Sequence, residues 1–399
     1  MKKSTRIWVL CGLLTAAVVG LFVWWTGSPV AKENDPALVA SSGSEDRTEG
    51  TRVSSGQSRV ISADPGEDSP LEAGASVVKE KLLGLLADIR AGASPQEVRE
   101  ALRKAKTTVH AAPLDVSAGA IIALLESGED APTGLDFLVG PEGVMDESPT
   151  WRTALLDLLG QTDPFQFVPY VRALLASATS SDEYALALRN LGWANPGGKL
   201  DGEIRGYFSA MLSRPEWRES PSTGYLEAFD LAVATGAVGE AAAALDPAQG
   251  KTESSVSRAA FVALDRIMLR NPDGVVSEFE KNPDFLSRSP YHRASILSRL
   301  DVRQPGQSAL LARYLLRSDH AAGELEYFTE LFPNGNRFAS HRLVTNPEGS
   351  GGIGDMDSLD EATTAALRGW MDTPEFAGRR GELEKIVGRL EDLSGVGTD

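Results

Sequence analysis

Punctuation constrains this chain more than composition does. Ser148-Pro149, Ser181-Asp182, Ser220-Pro221, Ser254-Ser255, Ser289-Pro290, Ser318-Asp319 and Asp357-Ser358 each precede a stretch whose apolar residues are spaced as on one face of a helix. Serine and aspartate cap helix N-termini, and proline fits the first turn, where its missing N–H costs nothing. Successive starts lie roughly 35 residues apart, which is room for two helices and two turns. Within most units a second stop falls about halfway, at Asp163-Pro164, Asn271-Pro272, Gln304-Pro305 and Thr373-Pro374. Proline there ends one helix and opens the next.

The pattern begins upstream. Val78, Leu82, Leu85, Leu86 and Ile89 form one helical stripe, and Val98, Ala101, Leu102 and Ala105 form another. The second helix opens with Ser94-Pro95-Gln96-Glu97, an N-cap, a first-turn proline and a capping-box glutamate. The first helices of several units share an aromatic-x-x-Ala pattern: Trp151/Ala154, Tyr184/Ala187, Tyr225/Ala228 and Tyr291/Ala294. A small residue one turn after a large one lets a neighbouring helix come close. No run shows the two-residue alternation of a strand. The sequence therefore predicts an all-α fold, an α-solenoid of helix pairs over residues 76–399. Over roughly 76–395 it resembles divergent HEAT-like or tetratricopeptide-like arrays. The resemblance is architectural; the tetratricopeptide consensus of Trp, Gly, Tyr and Pro is not met, and no family's functional residues carry over.

Ahead of the array, residues 1–25 read as a signal anchor. Lys2, Lys3 and Arg6 precede an apolar, uncharged run from Ile7 to Trp25 that ends in Trp24-Trp25. At about 1.5 Å per residue the run is roughly 28 Å long, enough to cross a hydrocarbon core as a transmembrane helix. It is longer than a cleavable signal core, and its aromatic end suits an interfacial belt. The positive-inside rule keeps the N-terminus cytoplasmic and sends the body out of the cytoplasm. Residues 26–75 hold Ser, Gly, Pro, Asp and Glu and no aromatic residue, the composition of a disordered acidic tether. As a coil it spans about 40 Å root mean square.

The formal net charge is −17. The anchor contributes +3 and the tether −5, which leaves −15 on the body, a poor surface for nucleic acid or anionic lipid. The single cysteine, Cys11, lies in the anchor, so the body has neither a disulfide nor a thiolate.

Chemistry-bearing motifs are sparse. His110, His292, His320 and His341 stand too far apart in sequence to share a helix face at metal-ligand spacing. Gly349-Ser350-Gly351-Gly352-Ile353-Gly354 matches a dinucleotide fingerprint formally, but a turn precedes it and acids follow it. Asp355, Asp357, Asp360 and Glu361 form the densest acid cluster; they are weak metal candidates, because an EF-hand would need other residues at the third ligand and glycine positions, and acids suit a helix N-terminus. Asn334, Gly335, Asn336, Arg337 and Phe338 form a compact turn that breaks the repeat, and they are the weak candidates for partner binding.

These features imply no cofactor. The expected function is a protein–protein interaction or scaffold module in the cell envelope, membrane-anchored through the N-terminal helix. The charge favours a basic protein partner and no nucleic acid. The alternatives are an envelope hydrolase with an unrecognised carboxylate site, or a structural spacer. No feature specifies an oligomeric state.

Overall fold

The computed structural model describes residues 70–245, 254–338, 340–346 and 355–393. The anchor, most of the tether and the glycine run 349–354 lie outside the described residues. None of the described helices is long and apolar enough to cross a membrane.

The described chain is all-α apart from one small hairpin. Helix α1 (Pro70–Arg90) starts six residues ahead of Ser76, so Pro70–Ala75, assigned to the tether by composition, are helical. It buries Val78, Leu82, Leu86 and Ile89. Helix α2 (Pro95–His110) opens on the expected capping box: Ser94 N–H donates to Glu97 Oε2 at 2.7 Å, and Glu97 N–H donates back to Ser94 Oγ at 3.4 Å. Helix α3 (Leu114–Glu126) packs on α1. An antiparallel pair then follows, β1 (Leu138–Val139) with β2 (Met145–Glu147). Strands of two and three residues are too short to leave an alternation in sequence, which is why the reading without strands missed them.

From here two kinds of helix alternate. The first-row helices are α4 (Trp151–Leu159), α6 (Ser181–Trp193), the pair α9 (Thr223–Glu227) and α10 (Asp230–Thr235), α12 (Ser255–Arg270), α14 (Pro290–Leu297), α16 (Glu324–Leu331) and α18 (Arg380–Leu393). Each packs on the next of its row. Between them lie α5 (Pro164–Ser177), α7 (Asp201–Leu212), the short α8 (Pro215–Glu219), α11 (Val238–Ala243), α13 (Pro272–Lys281), α15 (Pro305–Leu316) and α17 (Met356–Met371). In this second row α7 packs on α11, α11 on α13 and α13 on α15. The main packing thus joins helices one to four places apart in the chain.

The expected punctuation lands on real caps at Asp163, Ser254 and Asn271, whose side chains accept from Phe165, Ser257 and Gly274 N–H. Ser289 and Gln304 occupy N-cap positions without a side-chain cap bond. Elsewhere the cap shifts by one or two residues, to Thr150, Ser180, Ser222 and Asp355. The start at Ser318-Asp319 fails. Asp319 accepts from the Arg317 guanidinium instead, and α16 begins only after Gly323, whose φ of 80° interrupts the helix.

The aromatic-x-x-Ala residues are core in three units. Trp151, Tyr184, Ala187, Tyr225 and Ala228 are all 1 % exposed or less. In the fourth, Ala294 is buried but Tyr291 is 43 % exposed and meets Tyr327 edge-on. Because Ala187 and Ala228 are fully buried, replacing either by Leu should overpack the core at a cost of about 1–3 kcal/mol. Urea unfolding of each variant checks this; an unchanged midpoint for both contradicts a packing role.

Candidate functional site

The first-row helices carry charges inside apolar runs: Asp157 in Ala-Leu-Leu-Asp-Leu-Leu, Arg189 in Ala-Leu-Arg-Asn-Leu, Asp230 in Phe-Asp-Leu-Ala, Asp265-Arg266 in Ala-Leu-Asp-Arg-Ile-Met. An unpaired charge there would be very costly. The structure pairs them across the row. Arg189 Nη1 donates to Asp157 Oδ1 at 2.6 Å, 32 residues away. Arg266 Nη1 meets Asp230 Oδ1 at 2.5 Å, 36 away. Arg299, just past α14, grips Asp265 with Nε and Nη2 at 2.6 and 3.0 Å, 34 away. Nearer the helix N-termini, Arg152 holds Glu183 and Arg293 holds Glu324 in the same two-pronged way, each 31 residues apart. These separations are close to the spacing of successive first-row helices, so each pair is a rung from one first-row helix to the next.

Burial opposes these charges, and the partners answer it. Burial pulls the Arg189 guanidinium below its ordinary value, and Asp157 raises it. Burial likewise pushes the Asp265 carboxyl up, against the pull of Arg299. Glu324 goes the other way. Burial raises it, but nearby His320 and the bonds from Arg293 outweigh that and hold it at about 2. His320 Nδ1 stands 3.7 Å from Glu324 Oε1, an ion-pair distance rather than a hydrogen bond.

Across the rungs runs an irregular stretch, residues 332–338 and 340–346, and it travels backward. Asn334 N–H donates to Ser298 O at 2.9 Å, and Arg299 Nη1 donates to Asn334 O at 3.0 Å. Phe338 packs edge-on against Phe261 of α12. Arg266 Nη1 donates to His341 O at 2.6 Å. Val344 and Thr345 N–H donate to Asp230 Oδ2 of α10 at 2.7 and 2.6 Å. The Val344 side chain reaches Gly192 of α6, and Leu343 O lies against Gly143 of the hairpin, where a Cβ would come within 2.3 Å. Gly143 has φ of 77°, so both space and backbone demand glycine. Ten residues separate Asn334 from Val344; extended chain covers about 33 Å over that length, which matches three helix-to-helix steps of 8–10 Å.

The candidate turn Asn334–Phe338 is therefore split in role. Asn334 is buried and holds Arg299, while Gly335, Asn336, Arg337 and Phe338 are exposed. The acid cluster is not assembled into a metal site. Asp355 caps α17 by accepting from Ser358 N–H at 3.1 Å, and Asp357, Asp360 and Glu361 follow in its first turns. Burial raises the Asp360 carboxyl, with Arg389 opposing and Asp357 adding to it. Among the described residues no three His, Cys, Asp or Glu side chains stand together as a metal would need. The histidines are dispersed: His110 meets Gln161, His292 lies against Phe261, His320 packs on Tyr314 and His341 sits 3.4 Å from Glu227. A separate open concavity of about 830 Å³ is lined by Phe165, Val168, Pro169 and Trp193, and Phe165 is 91 % exposed.

The rungs and the segment they hold were not foreseen. The available signal was a charge in the middle of each apolar helix. No protein-family model matches the chain, and neither a curated protein nor a solved structure matches it.

Two consequences follow for stability. Asp230 accepts from Arg266, Val344 N–H, Thr345 N–H and Thr345 Oγ. Asp230→Ala strands Arg266 and should cost about 3–5 kcal/mol, whereas Asp230→Ala with Arg266→Met should recover much of it. Chemical denaturation of the single and double variants reads this out, and equal losses in both would contradict the rung. For Glu324 the folded value of about 2 lies below the ordinary 4.5. Its contribution is thus complete above about pH 4.5 and lost as pH falls toward 2. Between those limits wild type should lose more stability than Glu324→Gln, and parallel curves would contradict this.

Proposed function

We propose that this chain is a membrane-anchored, exported α-solenoid whose first-helix row binds an extended protein segment, an interaction or scaffold module of the cell envelope. The observation that carries the reading is the clasp on segment 332–346. Arginines fixed by carboxylates hand their remaining N–H groups to main-chain carbonyls of a polypeptide lying across the row. Main-chain recognition of this kind suits an extended partner of varied sequence. The occupant's own chemistry indicates the partner's. Residues 332–346 include Arg337, His341 and Arg342 and no acid, and they lie on a body of about −15. A basic partner segment fits that field, and its association should slow as salt rises, because exposed charges are screened within about 8 Å at physiological ionic strength. The exposed aromatic concavity at Phe165 adds apolar surface of the sort interfaces use.

The test supplies the occupant in trans. In full-length protein, residues 335–346 are replaced by a Gly/Ser linker of equal length, with helicity checked by circular dichroism. A labelled peptide of sequence 332–346 should bind this variant saturably and bind wild type far more weakly. Its on-rate should fall with salt. Absence of binding to the helical variant contradicts the reading, and turnover of a glycan or peptide by the purified chain would favour the hydrolase instead.

The localisation has its own check. A C-terminal alkaline phosphatase fusion should be active, since the three N-terminal bases keep only the N-terminus inside. An inactive phosphatase beside an active cytoplasmic reporter at the same site would reverse the topology.

A further inference from the structure

Phe165, in the first turn of α5, is the most exposed large apolar side chain among the described residues. It lines the open concavity of about 830 Å³, which lies between the first turns of α5 and the linker that joins α6 to α7. Further along the second row helix closes on helix, as α7 does on α11 and α11 on α13. Helices α5 and α7 share no such packing, and the Arg172–Glu203 ion pair at 2.7 Å spans the step between them. Another wall of the concavity is Trp193. The Arg189 guanidinium lies 4.0 Å from the centre of its ring. The ring edge is so close to Gly160 and Gly143 that a Cβ at either would come within 3.0 and 3.3 Å of it. A rung arginine thus holds this wall in place, and the concavity is pre-formed. Its volume lies in the range of ligand sites, which are mostly apolar with a few placed polar groups.

Charge selects the ligand. The body carries −15, yet no acid lines this concavity, and two cations do, Arg172 and Lys199. Arg172 is taken by Glu203. Lys199 is exposed and, among the described residues, has no carboxylate partner. The acids nearest in sequence are engaged elsewhere: Asp163 accepts from Phe165 N–H at 3.0 Å, and Asp201 accepts from Asn195 Nδ2 at 2.7 Å. We propose that the concavity binds a free, single-chain acyl carboxylate, with the chain against Phe165, Val168 and Trp193 and the head group at Lys199. The chain covers apolar surface that water otherwise meets, and the carboxylate supplies the counter-charge that Lys199 lacks. A cationic amphiphile of the same length would set like charges together. The site does not depend on the clasp over 332–346, and its cationic lining sets it apart from the acidic row proposed to take a basic segment.

The probe is a diazirine-bearing dodecanoate, irradiated with full-length protein in phosphatidylcholine nanodiscs, and the labelled residues are mapped by mass spectrometry. Labelling of 164–172 and 193–200 should saturate and be competed by dodecanoate. Octanoate should compete about tenfold more weakly or worse, because each buried methylene is worth about fourfold in affinity. Dodecyltrimethylammonium, with the same chain and the opposite head, should also compete more weakly than dodecanoate. Phe165→Ser and Lys199→Glu, both at exposed positions, should leave the circular dichroism spectrum unchanged and weaken labelling about tenfold and about threefold. Absence of labelling there, labelling that rises without saturation, equal competition by the two head groups, or unchanged labelling in either variant overturns the proposal. Capture of the same residues by a diazirine-bearing phosphatidylcholine in the disc, without competition from dodecanoate, also overturns it by making this face a bilayer contact.

Discussion

Buried guanidinium–carboxylate pairs set the register of this molecule. Each joins a first-row helix to the next, and Asp157, Arg189, Asp230, Asp265 and Arg266 lie where the helix would otherwise be continuously apolar. Apolar packing alone would let one helix slide along another with little penalty. A buried charge would not, because a shift of one turn strands an arginine and an acid at once. Replacing such a pair by apolar residues often leaves stability unchanged, so their main contribution is specification rather than net stability. Three of these arginines, Arg189, Arg266 and Arg299, also donate Nη1 to main-chain carbonyls of the hairpin and the returning segment.

What was legible in the sequence was local. Ser94 and Glu97 lie three residues apart, and their mutual capping follows from that spacing alone. Asp163, Ser254 and Asn271 announce helix starts by chemistry that acts within one turn. The aromatic-x-x-Ala pattern identified core residues until Tyr291, where Tyr327 of the next unit gives the ring a surface partner. Local reading failed where a distant partner decides. Ser318-Asp319 resembles a cap, but Arg317, itself tied to Asp284 33 residues earlier, claims Asp319 first. Asp157 and Arg189 look like two misplaced charges until the fold brings them to 2.6 Å.

Segment 332–346 was the least legible part. Its turn residues signalled irregularity, but nothing periodic indicated that the chain would double back over four earlier units. The sequence pointed to a binding loop at Asn334–Phe338, and in the structure these residues open the irregular returning segment, with Asn334 buried and Gly335–Phe338 exposed. Its basic, acid-free chemistry suits what it lies against: helices that present donors to main-chain carbonyls and carboxylates to main-chain amides, as Asp230 does for Val344 and Thr345.

The most direct measurement is hydrogen exchange across residues 332–346 in the full-length protein. If the rungs clasp this segment, the amides of Asn334, Val344 and Thr345 exchange slowly, and Asp230→Asn speeds Val344 and Thr345 while leaving the capping-box amide of Glu97 unchanged. Exchange of the whole segment at the rate of a free peptide in wild type would contradict the clasp and the function built on it.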